Sequence, residues 1–313
     1  MAPSPTVSVI LATDELQTLS DVLPYYRAQT IAGEIELVLP APRGTVAAGS
    51  PLLEGFADVR IVDVDSVTPL ARARAAGVRA ASAPLVLIGE THAFPAPDAV
   101  EKLTAAQAEG WAVVMPGFRN GNPDGAVSCS NLILTYGRLV STARRRELEA
   151  VPSYNGCFRR DLLLDYGPAL EDMLDAGSGL SGELRARGHR FASVGDAVLE
   201  HVNVSASSAW LPERFVCGRA YANARARRWP TRRRVLYVAA APLLPIPFLR
   251  TAFGTWRRLR RQSPTLTVPA LVVGSIAWVA GEVCGYARGI GGAAERVTEY
   301  ELHRLEYIRG ASR

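Results

Sequence analysis

Ala83-Pro-Leu-Val-Leu-Ile-Gly-Glu-Thr-His-Ala-Phe-Pro95 is the stretch on which the fold of this chain turns. The apolar run from Pro84 to Ile88 has the length of a buried strand. Gly89 breaks the run, and two potential ligands follow one residue apart, Glu90 and His92. In an open parallel α/β sheet the ligand crevice lies just outside the carboxyl ends of the strands. A Glu-x-His pair at such a point can hold a divalent cation and the phosphates it carries. Alone, the fragment fits an ordinary loop with a solvated Glu and a surface His better. Its neighbours turn the balance.

Working outward, residues 7–11, 34–39 and 59–64 are apolar runs of strand length, the second closed by Pro40-Ala-Pro-Arg-Gly44. Helical spacing relates Leu16, Leu19, Val22 and Leu23, with Thr13 or Asp14 as the expected cap, and residues 69–81 form an alanine-rich helix. Beyond the central stretch, residues 98–108 read as a helix and 111–115 as a buried strand. Residues 119–125 are dense in turn formers and read as an exposed loop. A helix starts at 161–166, another over 180–187 stops at Gly188, and residues 197–201 form a strand ending on His201. Strands alternating with helices give an α/β class with a mostly parallel, doubly wound sheet. Neither the G-x-G-x-x-G fingerprint nor the P-loop occurs.

The 313 residues, 48% hydrophobic and 21% charged, suffice for one large domain or a domain with an appendage. The net charge of +5 is uneven: arginines crowd residues 214–261, which points to an anionic surface as partner. Nucleic acid is the weaker reading, because these arginines mix with apolar runs rather than lining a polar helix. Cys129, Cys157, Cys217 and Cys284 have no metal-type spacing and read as reduced, structural thiols. The opening Met1-Ala-Pro-Ser-Pro-Thr6 lacks a basic region, so no secretory signal is expected.

The order of these pieces resembles glycosyltransferase family 2, with its GT-A fold, over residues 6–228. The motifs are Ala12-Thr-Asp-Glu15 after the first strand, Ala73-Arg-Ala-Ala-Gly77, and Glu90-Thr-His92 in the slot of the family's D-x-D. They continue with Asn155 to Arg160, Leu184-Arg-Ala-Arg-Gly-His-Arg190, and a strand ending in His201. A branch with Glu-Asp-His in place of D-x-D is the most similar. The resemblance implies inverting transfer of a sugar from a nucleotide diphosphate, uridine first, with Thr13, Glu15, Arg74 and Glu90 on the donor side. It implies Mn²⁺ or Mg²⁺ held by Glu90, His92 and His201, a base among Asp175, Asp172 and Glu171, and Asn155 and Arg214 on the acceptor side. Two motifs depart from the family: its second-strand Asp pair is Pro40-Ala41-Pro42 here, and its later Glu-Asp pair falls at Ala176-Gly177.

Residues 229–313 form a second region after a catalytic domain over 1–228. Residues 235–249 are apolar but short of the roughly 20 needed to span a bilayer, and they carry Pro242, Pro245 and Pro247. Residues 266–287 are long enough but include Glu282. If both crossed, Arg250 and Trp256-Arg-Arg-Leu-Arg-Arg261 would lie on the far side, against the positive-inside tendency. An in-plane or re-entrant hairpin fits better, with arginines on anionic headgroups and Trp229, Trp256 and Trp278 at the interface. A hairpin packed against a partner subunit, as in a homo-oligomer, is the alternative. Residues 295–308 read as an amphipathic helix. The expected location is the cytoplasmic face of the cell membrane, with a lipid-linked, membrane-proximal or glycan acceptor. Two other readings stand. One is a nucleotidyltransferase, which would need a Gly-rich basic loop where Leu11-Ala-Thr-Asp-Glu15 stands; the other is a degenerate GT-A domain serving as membrane scaffold or partner subunit.

Overall fold

The computed structural model describes residues 4–47, 49–142, 144–308 and 310; the first three residues of the opening segment lie outside them. One sheet holds β1 (Val7–Ile10), β2 (Ile35–Pro42), β3 (Asp58–Val64), β4 (Leu85–Ile88), β5 (Ala93–Pro95), β6 (Val113–Asn120), β7 (Arg146–Leu148), β8 (Gly156–Arg159) and β9 (Phe191–His201). Its order is β3-β2-β1-β4-β8-β6-β9-β5, with β7 paired to β9. The first four strands are mutually parallel, with Ile10 opposite Ile88. β8 runs antiparallel to both β4 and β6, so those two share a direction. Backbone bonds from Ala112 N to Arg190 O and from Gly121 N to His201 O, both 2.9 Å, bracket β6 and β9 and orient them alike. The carboxyl ends of β1, β4, β6 and β9 therefore open on one edge of the sheet. The sheet is mixed and mostly parallel, as expected.

β1, β2 and β4 are buried almost throughout because helices flank the sheet, the signature of a parallel interior. Val9, Leu37, Leu39 and Leu87 pack there with Val100 and Leu103 of helix Ala99–Gln107. Several boundaries differ from expectation. β2 does not stop at residue 39 but runs through Pro40 and Pro42, which lie opposite Val62 and Val64. Proline loses only its N–H, and the Pro40 carbonyl still accepts the Thr13 N–H at 3.0 Å. The capped helix over 13–23 is two short helices, Gln17–Ser20 and Leu23–Arg27, parted where Pro24 opens the second. The Thr13 hydroxyl caps neither and closes a turn on Glu15 N–H instead. Residues 119–125 are not simply an exposed loop: Arg119 and Asn120 end β6, and Asn120 and Asn122 are half-buried. The amphipathic C-terminal stretch divides at His303 into helix Ala293–Leu302 and a turn over Arg304–Tyr307.

By contacts the chain forms two units. One comprises Met1–Phe118, Ser141–Asp175 and Gly179–Glu200 and contains the sheet. The other comprises Arg119–Val140, Ala176–Ser178 and His201–Arg313 and is helical. Helix Ser207–Ala226 thus groups with the C-terminal helices, on the other side of the expected boundary at 228. The division cuts β9 at its last residue, so His201 remains the terminal residue of a sheet strand.

Candidate functional site

At the end of β4 the chain turns sharply. Gly89 sits against Leu11 and Tyr26, and a Cβ there would lie 2.8 Å from both the Leu11 Cδ2 and the Tyr26 hydroxyl. A side chain at residue 89 would have to push both aside, so glycine suits this exit from the strand, and Glu90 and His92 follow it. Both are buried, with His92 Nε2 3.3 Å from a Glu90 oxygen. The other Glu90 oxygen lies 3.7 Å from a nitrogen of buried Arg74 on helix Leu70–Ala80. The Arg74 guanidinium also stands over the Tyr154 ring at 5.1 Å. Burial, with the Glu90 charge adding to it, pushes the Tyr26 hydroxyl above the usual tyrosine range, so it stays protonated beside the carboxylate.

Asn155 completes this side. Its backbone is left-handed, φ 53°, a conformation asparagine tolerates better than most residues. Its N–H donates to the Ile88 carbonyl at 2.6 Å, and its side-chain amide donates to Glu90. Asn155, expected on the acceptor side, is thus joined to the Glu90 carboxylate.

His201 arrives at the end of β9. Its Nδ1 lies 3.0 Å from the Asn203 side-chain oxygen, and the Tyr136 ring meets the imidazole edge-on at 4.8 Å. Asn203 is oriented without ambiguity. Its amide nitrogen faces the His201 backbone carbonyl (3.1 Å), which can only accept, and the Asn120 side-chain oxygen (3.0 Å). The Asn203 oxygen must therefore face Nδ1, which makes Nδ1 the donor; in the neutral imidazole the lone pair is then on Nε2, the form a metal requires. Asn120 and Asn122 hold the assembly: the Ser128 hydroxyl lies within reach of both side-chain oxygens, and Asn122 accepts the Asn203 N–H at 2.9 Å and donates to the Asn203 carbonyl at 2.8 Å.

Glu90, His92 and His201 each offer one ligand atom, all within 4.8 Å of one another, and all three are buried. One carboxylate oxygen with two imidazole nitrogens suits Mn²⁺ or Zn²⁺ better than Mg²⁺, which prefers oxygen throughout. The donor set fits a divalent ion. With Arg74 offsetting the Glu90 charge, such an ion would keep its charge for an anionic ligand.

The acidic cluster divides. Glu171 pairs with Arg72 (3.5 Å) and Arg79 (3.3 Å) at the surface. Asp172 is exposed in the same short helix, Leu170–Met173. Asp175 follows it, half-buried, and the Ser153 hydroxyl binds the Leu174 carbonyl at 2.8 Å, tying this segment to the chain two residues before Asn155. Thr13 is buried in its turn and Glu15 is exposed. Arg214 lies buried on helix Ser207–Ala226 with its guanidinium 4.6 Å from the Trp278 ring centre.

The mixed sheet with its candidate metal centre at the carboxyl edge is a fold shared with glycosyltransferases of known structure. Among solved structures, the chain is similar to a mannosyltransferase from Pyrobaculum calidifontis, PcManGT, in complex with GDP-Man and Mn²⁺. The TM-score is 0.50 at 18% identity, covering 95% of this chain and 88% of that one. S. aureus TarS 1-349 also matches: with UDP (TM-score 0.46, 13% identity, 90% of each chain) and with UDP-GlcNAc (0.48, 12%, 93% and 92%). No protein-family profile matches the chain. No curated protein matches it either.

Proposed function

We propose that this protein is a metal-dependent glycosyltransferase of family-2 character that moves a sugar from a nucleotide diphosphate to an acceptor hydroxyl with inversion. The observation that carries this reading is the buried Glu90/His92/His201 cluster at the carboxyl edge of a parallel sheet, with Arg74 on the same carboxylate. The Mn²⁺ and GDP-Man held by the mannosyltransferase of similar fold support the chemistry. The uridine donor rests on the family resemblance.

A divalent ion bound there would act as a Lewis acid on the departing diphosphate. Glu90, His92 and His201 would hold it, and Asn155 fixes the Glu90 carboxylate. Arg74, already neutralised by Glu90 and braced on Tyr154, can turn its guanidinium to a phosphate oxygen bidentately. Asp175 or Asp172 takes the acceptor proton as the new C–O bond forms at the anomeric carbon and the bond to the diphosphate breaks. Asp175 is the stronger assignment, given its tie to the Asn155 segment. A glycan or lipid-linked glycan is the acceptor class we assign, supported by the basic and apolar C-terminal helices.

The test is hydrolysis of UDP- and GDP-sugars by purified protein with Mn²⁺ and with EDTA. Glu90→Gln should lower the metal-dependent rate by roughly 100-fold or more while the fold is retained. Equal rates in Mn²⁺ and EDTA would remove the metal from the mechanism. No turnover of any nucleotide sugar, with nucleotide binding intact, would favour the degenerate-scaffold reading.

A further inference from the structure

Nine of the large apolar side chains left exposed fall between residues 235 and 276, among them Ile246, Phe253, Leu266, Val272, Val273 and Ile276. They belong to three helices of the helical unit, Thr231–Ala239, Pro245–Leu259 and Thr267–Arg288, and to the turns between them. Helix Pro245–Leu259 is two-faced. Its inner side, Phe248, Leu249, Ala252, Trp256 and Leu259, packs on Ile133, Leu134 and Leu271. Its outer side alternates Ile246, Arg250, Phe253 and Arg257, all exposed and spaced by three or four residues. On helix Thr267–Arg288 the exposed row is Pro269, Val272, Val273, Ile276 and Ala280, again one face. Patches of this kind on a folded surface mark a partner.

The charge of the region identifies that partner. No Asp or Glu stands between Glu213 and Glu282, while the same segment carries thirteen arginines. Arginine interleaved with outward Ile and Phe on one helix face lets the guanidinium reach outward while its stem joins the apolar side chains.

We propose that the outer faces of helices Pro245–Leu259 and Thr267–Arg288 are a docking surface for an anionic lipid bilayer, on which they lie in the headgroup plane. Helix Thr267–Arg288 has the length and composition to cross a membrane, and the helices over Thr231–Leu259 would qualify as one broken span bent by 54°. Packing argues against crossing. Gly281 and Gly285 of the long helix, and Gly218 of Ser207–Ala226, bring the two helix backbones into contact. A methyl at any of the three would run into the Phe215, Arg219 or Trp278 carbonyl oxygen. A span by one helix would therefore draw its neighbour in, with Glu213, Arg214, Arg219 and Arg225. Such charges are costly at membrane depth. In-plane seating keeps this inner seam in protein and turns only the apolar row to the acyl boundary. The cytoplasmic leaflet, with its negative surface potential, is the surface we assign. This proposal stands apart from the metal site, and its test reads no activity.

The full-length protein would be sedimented with phosphatidylglycerol–phosphatidylcholine vesicles and with pure phosphatidylcholine vesicles. Binding is expected to the anionic vesicles alone and to weaken as salt rises from about 0.1 M to 1 M, where the screening length falls from about 10 Å to 3 Å. Ile246→Glu/Phe253→Glu should lower the bound fraction roughly tenfold or more at a fixed lipid concentration. Arg250→Glu/Arg257→Glu, at exposed positions that the core does not use, should do the same and carries the test if the first variant melts early. Three outcomes overturn the proposal. One is equal sedimentation of wild type and both variants. Another is retention of RNA without vesicle binding. The third is a stable dimer that fails to bind vesicles and that Val273→Glu/Ile276→Glu dissociates, which would make the face an interface between copies.

Discussion

Asn203 has the greatest leverage among the residues that touch no expected substrate. Without it the His201 imidazole can place its proton on either ring nitrogen, and only one tautomer gives Nε2 the lone pair a metal needs. Asn203 decides the matter because its own amide is fixed by the His201 carbonyl and by Asn120. Partners of this kind typically contribute 10–100-fold to metal affinity. Asn203→Ala is therefore expected to weaken Mn²⁺ binding by about 10–100-fold in calorimetric titration. Asn203→Asp, which keeps an acceptor for Nδ1–H, should lose less. Equal affinity for wild type and the alanine variant would show that His201 needs no such support, or that it is not a ligand. His92→Ala is the companion measurement, since His92 and Glu90 would otherwise satisfy each other as a plain buried pair at 3.3 Å. The thiols give an independent residue-scale check. Burial pushes the Cys157 thiol up to about 12, and burial likewise raises Cys129 and Cys217. Thiolate is the reactive form. At pH 8 a disulfide reagent should leave Cys157 unmodified in the native protein, and all four cysteines should react after unfolding.

At the scale of elements, the helical glycines separate local propensity from packing. Alanine in a helix is ordinarily favoured over glycine by about 1 kcal/mol. Gly254, in the interior of helix Pro245–Leu259, has open space where a methyl would project, with no atom within 4 Å, so Gly254→Ala should raise stability by about 0.4–1 kcal/mol. Gly281→Ala should do the reverse, since its methyl would meet the Phe215 carbonyl, and a cost of about 1–3 kcal/mol in urea unfolding is expected. A shared sign for the two variants would mean that the seam between the helices is looser than the structure has it. The same contrast explains what the sequence disclosed. β4 and its Gly-Glu-Thr-His exit were legible because a buried parallel strand reads as an unbroken apolar run. Helix Ala126–Tyr136 was not, because it is buried on most of its circumference, including Ser128, Ser130 and Asn131, and leaves no polar stripe to give a period. β8 is only four residues long, too short for a pattern, and its partners on either side are distant in sequence. Of the site, Glu90 and His92 were visible locally. His201 and Asn203 share one face of an extended chain by their spacing of two, but Asn120 and Asn122, which give Asn203 its meaning, lie some eighty residues earlier.

For the molecule as a whole, the informative quantity is how metal and nucleotide couple through stability. Before any ligand arrives, Glu90 is shared among Arg74, His92 and Asn155, so the site is nearly neutral and has little to offer a diphosphate. A divalent ion on Glu90, His92 and His201 would change that balance and add its charge where a diphosphate could meet it. Nucleotide binding should therefore require metal, and metal binding should tighten when nucleotide is present, because the coupling is reciprocal. A ligand at one hundred times its dissociation constant stabilises the folded state by about 2.7 kcal/mol, which is a shift of several degrees in a protein of this size. UDP or GDP with Mn²⁺ is expected to raise the melting temperature by more than the two separate shifts together, and EDTA should abolish the gain. His92→Ala should lose the excess, measured against its own ligand-free melting temperature, which removal of the buried imidazole lowers. If the two shifts simply add, Glu90–His92–His201 is not a diphosphate-facing metal centre, even if each ligand binds. If no diphosphate shifts the transition while Mn²⁺ does, the cluster holds an ion for structure, and the sheet edge awaits a different ligand.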